Sequence, residues 1–261
     1  RSANGIGRAA PRISRAPAGG HAAPMAPSLP TAGLDRRTLE IAGVVVIGLI
    51  MSVIDTTIVN VALERLAADL GEPLATIQWV STGYLLALAV VIPLSGWATE
   101  RFGSKRVWLV AIAVFGAGSA LCGLSGSVEQ LIAFRAVQGL GGGLLLPVGF
   151  TLATQAAGPQ RAGRVLSLIG VPVLLGPILG PVLGGLIVDE VSWHWIFFVN
   201  LPIAVIAFSL AWRRLDGAAG RQDAGRLDWL GVAFACPGLV AVVFGLSQSE
   251  RHGGFGDPLA L

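Results

Sequence analysis

One carboxylate stands where water does not reach. Asp55 is the only charged residue between Ile41 and Leu63, a stretch long enough to cross a bilayer as a helix. A carboxylate near the bilayer centre costs about 2.5–3.5 kcal/mol on insertion scales, so such a group is kept for a use. A second charge, Arg135, lies inside the apolar run 130–154. At a rise of about 1.5 Å per residue, Asp55 sits roughly 21 Å up a helix that enters from inside, in a core about 30 Å thick. Arg135 sits roughly 7–8 Å down a helix that enters from outside. The opposite charges share a depth nearer the outer face, and intramembrane charges pair or line a cavity. Two readings stay open: a permanent ion pair that orders the bundle, or a switch in which parting the pair lets Asp55 take up a proton. Asn60, Gln78, Thr82, Tyr84 and Gln138 can add hydrogen-bonding groups to that cavity, or simply bond across helices. Trp79 and Trp193 read as anchors at the outer interface.

The elements that position these groups follow from composition. Of 261 residues, 54% are hydrophobic and 13% charged, against about 25% charged in soluble domains. Apolar runs recur near 41–63, 77–99, 107–125, 130–154, 165–188, 194–212 and 229–247. Each is near the length of a membrane-spanning helix, and none alternates in polarity as barrel strands do. The fold class is an all-α polytopic membrane protein. Residues 1–35 read as a disordered basic tail, with an organelle transit peptide as the alternative. Residues 36–214 read as a six-helix transmembrane bundle. Residues 215–261 read as a linker and the start of a further helix pair, in a chain that reads as part of something longer. Arg36, Arg37, Arg101, Lys105, Arg106, Arg161, Arg164, Arg213 and Arg214 fall on one side of this arrangement with the tail, and Glu64, Asp69, Glu72, Glu129, Asp189 and Glu190 on the other. The positive-inside rule puts the N-terminus in the cytoplasm. Cys122 and Cys236 both sit in apolar runs. With no Cys-x-x-Cys and no histidine cluster, neither a disulfide framework nor a metal site is expected. No cofactor and no nucleic-acid partner is expected either. The absence of a nucleophile–base pair or phosphate loop argues against an enzyme.

Gly96 to Arg106 reads G-W-A-T-E-R-F-G-S-K-R. Gly96 and Gly103 permit a tight turn between helices, and Glu100 lies near a helix end, where it can meet basic groups or a neighbouring helix N-terminus. An ordinary positive-inside loop would look similar. The segment resembles the G-x-L-a-D-r-x-G-r-k-r loop of the major facilitator superfamily at Gly96, Arg101, Gly103, Lys105 and Arg106. It departs at Ala98, Glu100 and Ser104, and the resemblance implies a gating salt bridge here. R-A-V-Q-G from Arg135 is similar to the superfamily's R-x-x-Q-G motif, associated with proton transfer. G-P-I-L-G-P-V-L-G-G, Gly176 to Gly185, resembles the signature of its antiporters, with Gly176, Pro177, Gly180, Pro181, Gly184 and Gly185 in register. Physically, Gly176, Gly180 and Gly184 leave one bare helix face for close packing, while Pro177 and Pro181 permit a bend.

V-I-D-T-T-I-V-N-V-A-L from Val53 resembles a motif of the fourteen-span drug:proton antiporters, departing at Ile54 and Glu64. W-H-W-I-F-F-V-N-L-P from Trp193 is similar to the family's sixth-span opening, and L-D-W-L-G from Leu227 to the start of its extra helix pair. The short link from Arg213 to Asp228 favours fourteen spans over twelve. The resemblance implies a proton-coupled antiporter of the cell membrane. It would export amphipathic small molecules (drugs, antibiotics or metabolites) by alternating access, with the bilayer, protons and a C-terminal half as partners. A uniporter or symporter of the same fold, and a non-transporting membrane anchor or sensor, are the alternatives.

Overall fold

The computed structural model describes residues 33–217 and 227–251. Most of the expected basic tail, the linker residues 218–226 and the end of the chain from 252 lie outside the described residues. Among the described residues ten helices follow in order: α1 (Arg36–Leu70), α2 (Leu74–Val91), α3 (Leu94–Phe102), α4 (Ser104–Gly123), α5 (Val128–Ala157), α6 (Ala162–Val173), α7 (Gly176–Glu190), α8 (Trp195–Phe198), α9 (Asn200–Arg214) and α10 (Trp229–Arg251). No strand occurs among the described residues. Six apolar stretches among the described residues are long enough to cross a membrane: α1, α2, α4, α5, α6 with α7, and α8 with α9. The seventh expected run lies on α10, where Leu230–Val242 is a shorter apolar stretch.

Proline explains where three of the runs break. It has no N–H for the carbonyl four residues back, and its ring crowds that carbonyl. Four residues before Pro177 is Val173, the last residue of α6, and four before Pro202 is Phe198, the last of α8. Pro93 likewise cuts the second run into α2 and α3. The expected bend in the fifth span thus falls at Leu174–Leu175, ahead of the antiporter-like motif. Pro177 itself stands in the first turn of α7, where proline is tolerated, and Pro181 is carried inside that helix. Gly103 turns the chain between α3 and α4 at φ 86°, a conformation that suits glycine.

Helix α5 lies in the middle, packed on α1, α2, α4 and α6. Its glycine run makes this possible. A Cβ added at Gly139 would lie 2.5 Å from the Tyr84 carbonyl oxygen, and one at Gly141 would lie 2.5 Å from the Phe115 nitrogen. Bare positions let helix backbones meet closely where hydrophobicity alone gives no drive to associate. The buried apolar residues fall into two clusters. The division runs between Met51 and Ile54 on α1, Phe115 and Cys122 on α4, and Leu131 and Leu145 on α5. Polar side chains occupy the interval.

At one end of the bundle the segments expected to share the inner side meet. Arg214 pairs with Glu40 at 2.7 Å, Arg161 with Asp35 at 3.6 Å, and Arg37 with Asp216. The Thr38 hydroxyl donates to Asp35 and holds that carboxyl below the usual carboxylate range.

Candidate functional site

The polar interval is built from five helices. Asp55 comes from α1, Tyr84 from α2, Ser119 from α4, Arg135 and Gln138 from α5, and Asn200 from α9, and each is at most 1% exposed. Arg135 Nη1 donates to Asp55 Oδ2 at 2.7 Å and to Gln138 Oε1 at 2.9 Å. Gln138 Nε2 and Asn200 Nδ2 each donate to Asp55 Oδ1 at 2.8 Å. Asn200 Nδ2 also donates to Ser119 Oγ at 3.1 Å, and that hydroxyl donates to the Phe197 carbonyl at 2.8 Å. Arg135 Nε reaches the Val80 carbonyl at 3.3 Å, and its guanidinium lies 4.0 Å from the centre of the Tyr84 ring. A buried ion pair is sustained only when further hydrogen bonds satisfy its remaining lone pairs and protons. Here the carboxylate accepts three.

The site can do two things chemically. It can hold one negative charge inside an apolar surround, and it can exchange that charge for a proton if the guanidinium lets go. Gln138 is well spaced to help hold the charge, since it follows Arg135 by three residues and both project from one face of α5. The sequence singled out Asp55, Arg135 and Gln138, and the fold brings them together. It did not single out Asn200, Ser119 or Cys122, whose Sγ donates to Gln138 Oε1 at 3.6 Å. Asn200 was within reach: a side-chain amide in an apolar run needs a partner once buried.

The other expected cavity residues divide. Tyr84 joins the cluster and Thr82 is buried near it in sequence, but Asn60 is exposed and accepts from Ser81 Oγ at 3.2 Å, and Gln78 is half-buried. Trp193 is 2% exposed and stacks on His194 at 3.6 Å, so it belongs to the second apolar cluster, with Ile54 and Cys122, rather than to an interface belt. Its neighbour Phe197 packs edge-on against it.

The two glycine-rich motifs serve packing in different places. Gly176, Gly180 and Gly184 of α7 lie against α1: an added Cβ would meet Val53 Cγ1 at 2.4 Å, Thr57 Oγ1 at 1.8 Å and Ile58 Cγ1 at 3.0 Å respectively. Pro177 and Pro181 are exposed, and a Cβ added at Gly185 would meet nothing within 4 Å. The bare face therefore clasps α1 on both sides of the Asp55 position. In the Gly96–Arg106 segment, Gly96, Glu100, Arg101 and Arg106 are exposed, and Glu100 forms no ion pair among the described residues. Lys105 Nζ instead donates to the carbonyls of Trp212 at 2.8 Å and Leu215 at 2.6 Å, capping the end of α9. Ser104, a departure from the family pattern, donates to Gln155 Oε1 of α5 at 3.1 Å.

A family model described as the Major Facilitator Superfamily matches residues 45–252. The chain is 43% identical over 227 residues to the multidrug resistance protein B homolog of Mycobacterium tuberculosis, covering 86% of this chain and 41% of that protein. It is 35% identical over 205 residues to multidrug resistance protein 3 of Bacillus subtilis, covering 78% of this chain and 40% of that protein. The chain thus spans about two fifths of the length of these curated relatives. The inward-open xylose transporter of E. coli superposes with a TM-score of 0.62 at 18% identity, over 84% of this chain and 57% of that one, a likeness of fold.

Proposed function

The chain belongs to the Major Facilitator Superfamily, and on that premise we propose that it forms the N-terminal bundle of a proton-coupled antiporter exporting amphipathic small molecules. The observation that carries this reading is the Asp55–Arg135 contact at 2.7 Å, the one ion pair among the described residues with both partners buried. The names of the multidrug resistance relatives support outward transport of drugs. In the proposed cycle a proton arriving from outside neutralises Asp55, and Arg135 falls back on the Gln138 and Val80 oxygens it already contacts. The bundle then rocks against a C-terminal half, the proton leaves to the inside, and the pair re-forms. One charge moved is worth about 2.3 kcal/mol per 100 mV, enough to sustain accumulation.

The N-terminus lies in the cytoplasm in this reading. Gly96 to Arg106 works as the gating loop at the inner end, and the α7 glycine face marks antiport. Tyr84 and Thr82, with Asn60 and Gln78 further along the walls, contribute to the substrate cavity. The test is transport by the full-length protein in proteoliposomes loaded with a lipophilic cationic dye such as ethidium. An inward proton gradient is expected to drive dye out, and Asp55→Asn to abolish that flux while dye–dye exchange continues. Dye moving along with the protons would establish a symporter. Proton-driven flux unaltered by Asp55→Asn would sink the role given to Asp55, and dye flux no greater than in protein-free liposomes would leave the anchor or sensor.

A further inference from the structure

Protonating Asp55 in its present surroundings is blocked by its own partners. A hydrogen placed on Oδ1 would face the Gln138 and Asn200 amide donors, both at 2.8 Å, and one placed on Oδ2 would face Arg135 Nη1 at 2.7 Å. For the carboxyl to become neutral and stay hydrogen-bonded, one of the three must offer an acceptor instead. Arg135 has none, because a guanidinium carries only donors. The Gln138 acceptor is engaged, since its Oε1 takes hydrogens from Arg135 Nη1 at 2.9 Å and Cys122 Sγ at 3.6 Å. Asn200 differs. Its Nδ2 serves both Asp55 and Ser119, while its Oδ1 is buried with no partner at all.

A buried carbonyl without a partner has lost its hydration and gained nothing in exchange, and buried polar groups left unpaired call for a reason. We infer that Asn200 is the positioning residue that lets Asp55 change its charge: its amide donates to the ionised carboxylate and, turned half a revolution about its last side-chain torsion, accepts from the protonated one. This rests on the proton-coupling reading of Asp55. The turn breaks no bond at Oδ1, because there is none to break. It withdraws the Nδ2 donor from Oδ1 of Asp55 and places an acceptor there. The Ser119 hydroxyl, freed of the Asn200 donor, can rotate from the Phe197 carbonyl to donate to the same amide oxygen. Only a proton is gained, from water on the outer side, and it is returned when the amide turns back. Among the described residues the other titratable or charged groups around Asp55 are Arg135 from α5, Tyr84 from α2 and Cys122 from α4. Helices α8 and α9 bring the neutral Phe197 and Asn200.

The matched pair Asn200→Thr and Asn200→Val tests this, because threonine donates and accepts while valine of the same shape does neither. The readout is the infrared carboxyl band of protonated Asp55 in the full-length protein in liposomes, identified on acidification by its absence in Asp55→Asn. In Asn200→Val the C=O band is expected to move to higher frequency, the sign of a carboxyl O–H without its acceptor. In Asn200→Thr it is expected to stay close to that of the unsubstituted protein. A band unmoved by valine, or moved equally by both, overturns the role of Asn200 while leaving Asp55 as the proton carrier. Absence of any Asp55-dependent band overturns the proton-coupling reading and this inference with it. Should the valine variant not assemble, the threonine variant suffices: the acid-minus-base spectrum of the unsubstituted protein must contain a side-chain amide change that is lost in Asn200→Thr, and its absence refutes the turn.

Discussion

Asp55 accepts hydrogen bonds from Arg135, Gln138 and Asn200 and is fully buried, so its charge is stabilised only by what the bundle supplies. Removing one member of such a pair leaves the other unpaired and costs about 3–5 kcal/mol, whereas removing both costs less. Arg135→Leu should therefore lower thermal stability by that amount, and Asp55→Asn combined with Arg135→Leu should recover part of it. Unfolding of the purified single and double variants followed by intrinsic fluorescence checks this, and additive losses would mean the two residues do not interact. The residues absent from this cluster are as informative. Asn60 follows Asp55 by five positions, which turns it about 140° around the helix, and it accordingly meets Ser81 instead of the carboxylate.

At the scale of the helix, glycine spacing decides how near one element comes to another. Helix α7 shows both outcomes within one motif. A methyl at Gly180 would fall 1.8 Å from Thr57 Oγ1 and 2.7 Å from Thr57 Cβ, but a methyl at Gly185 meets nothing within 4 Å. Overpacking of this kind costs typically about 1–3 kcal/mol. Gly180→Ala is expected to lose that much stability and to slow transport by pushing α7 off α1, with Gly185→Ala close to unchanged. Parallel melting curves and flux assays read both, and equal behaviour of the two variants would contradict the clasp. On its other side α7 presents Ile178, Val182 and Leu186, each more than half exposed.

For the whole molecule, charge and contact agree on which ends lie together. Arg37, Arg161 and Arg214 come from three separate segments and meet acidic partners at one end of the bundle, where Lys105 also caps α9. If that end faces the cytoplasm, a cysteine at Gln160 will resist a membrane-impermeant thiol reagent in intact cells, and a cysteine at Gly126, in the α4–α5 turn, will react. Labelling after removal of Cys122 and Cys236 reads this directly, and the reverse pattern would invert the topology. Much of this was legible in the chain itself. Long apolar runs fixed the fold class because a helix is the only open segment that satisfies its own backbone in lipid. Asp55 and Arg135 announced themselves because a charge in such a run is costly. Their shared depth followed from helix rise. Rotation about each helix axis and the choice of neighbours did not follow, because in lipid those depend on close packing between particular faces. Only the folded bundle decided that the α5 glycines would seat α2 and α4, that α7 would grip α1, and that Asn200, legible only as part of a span opening, would be the third hand on the carboxylate.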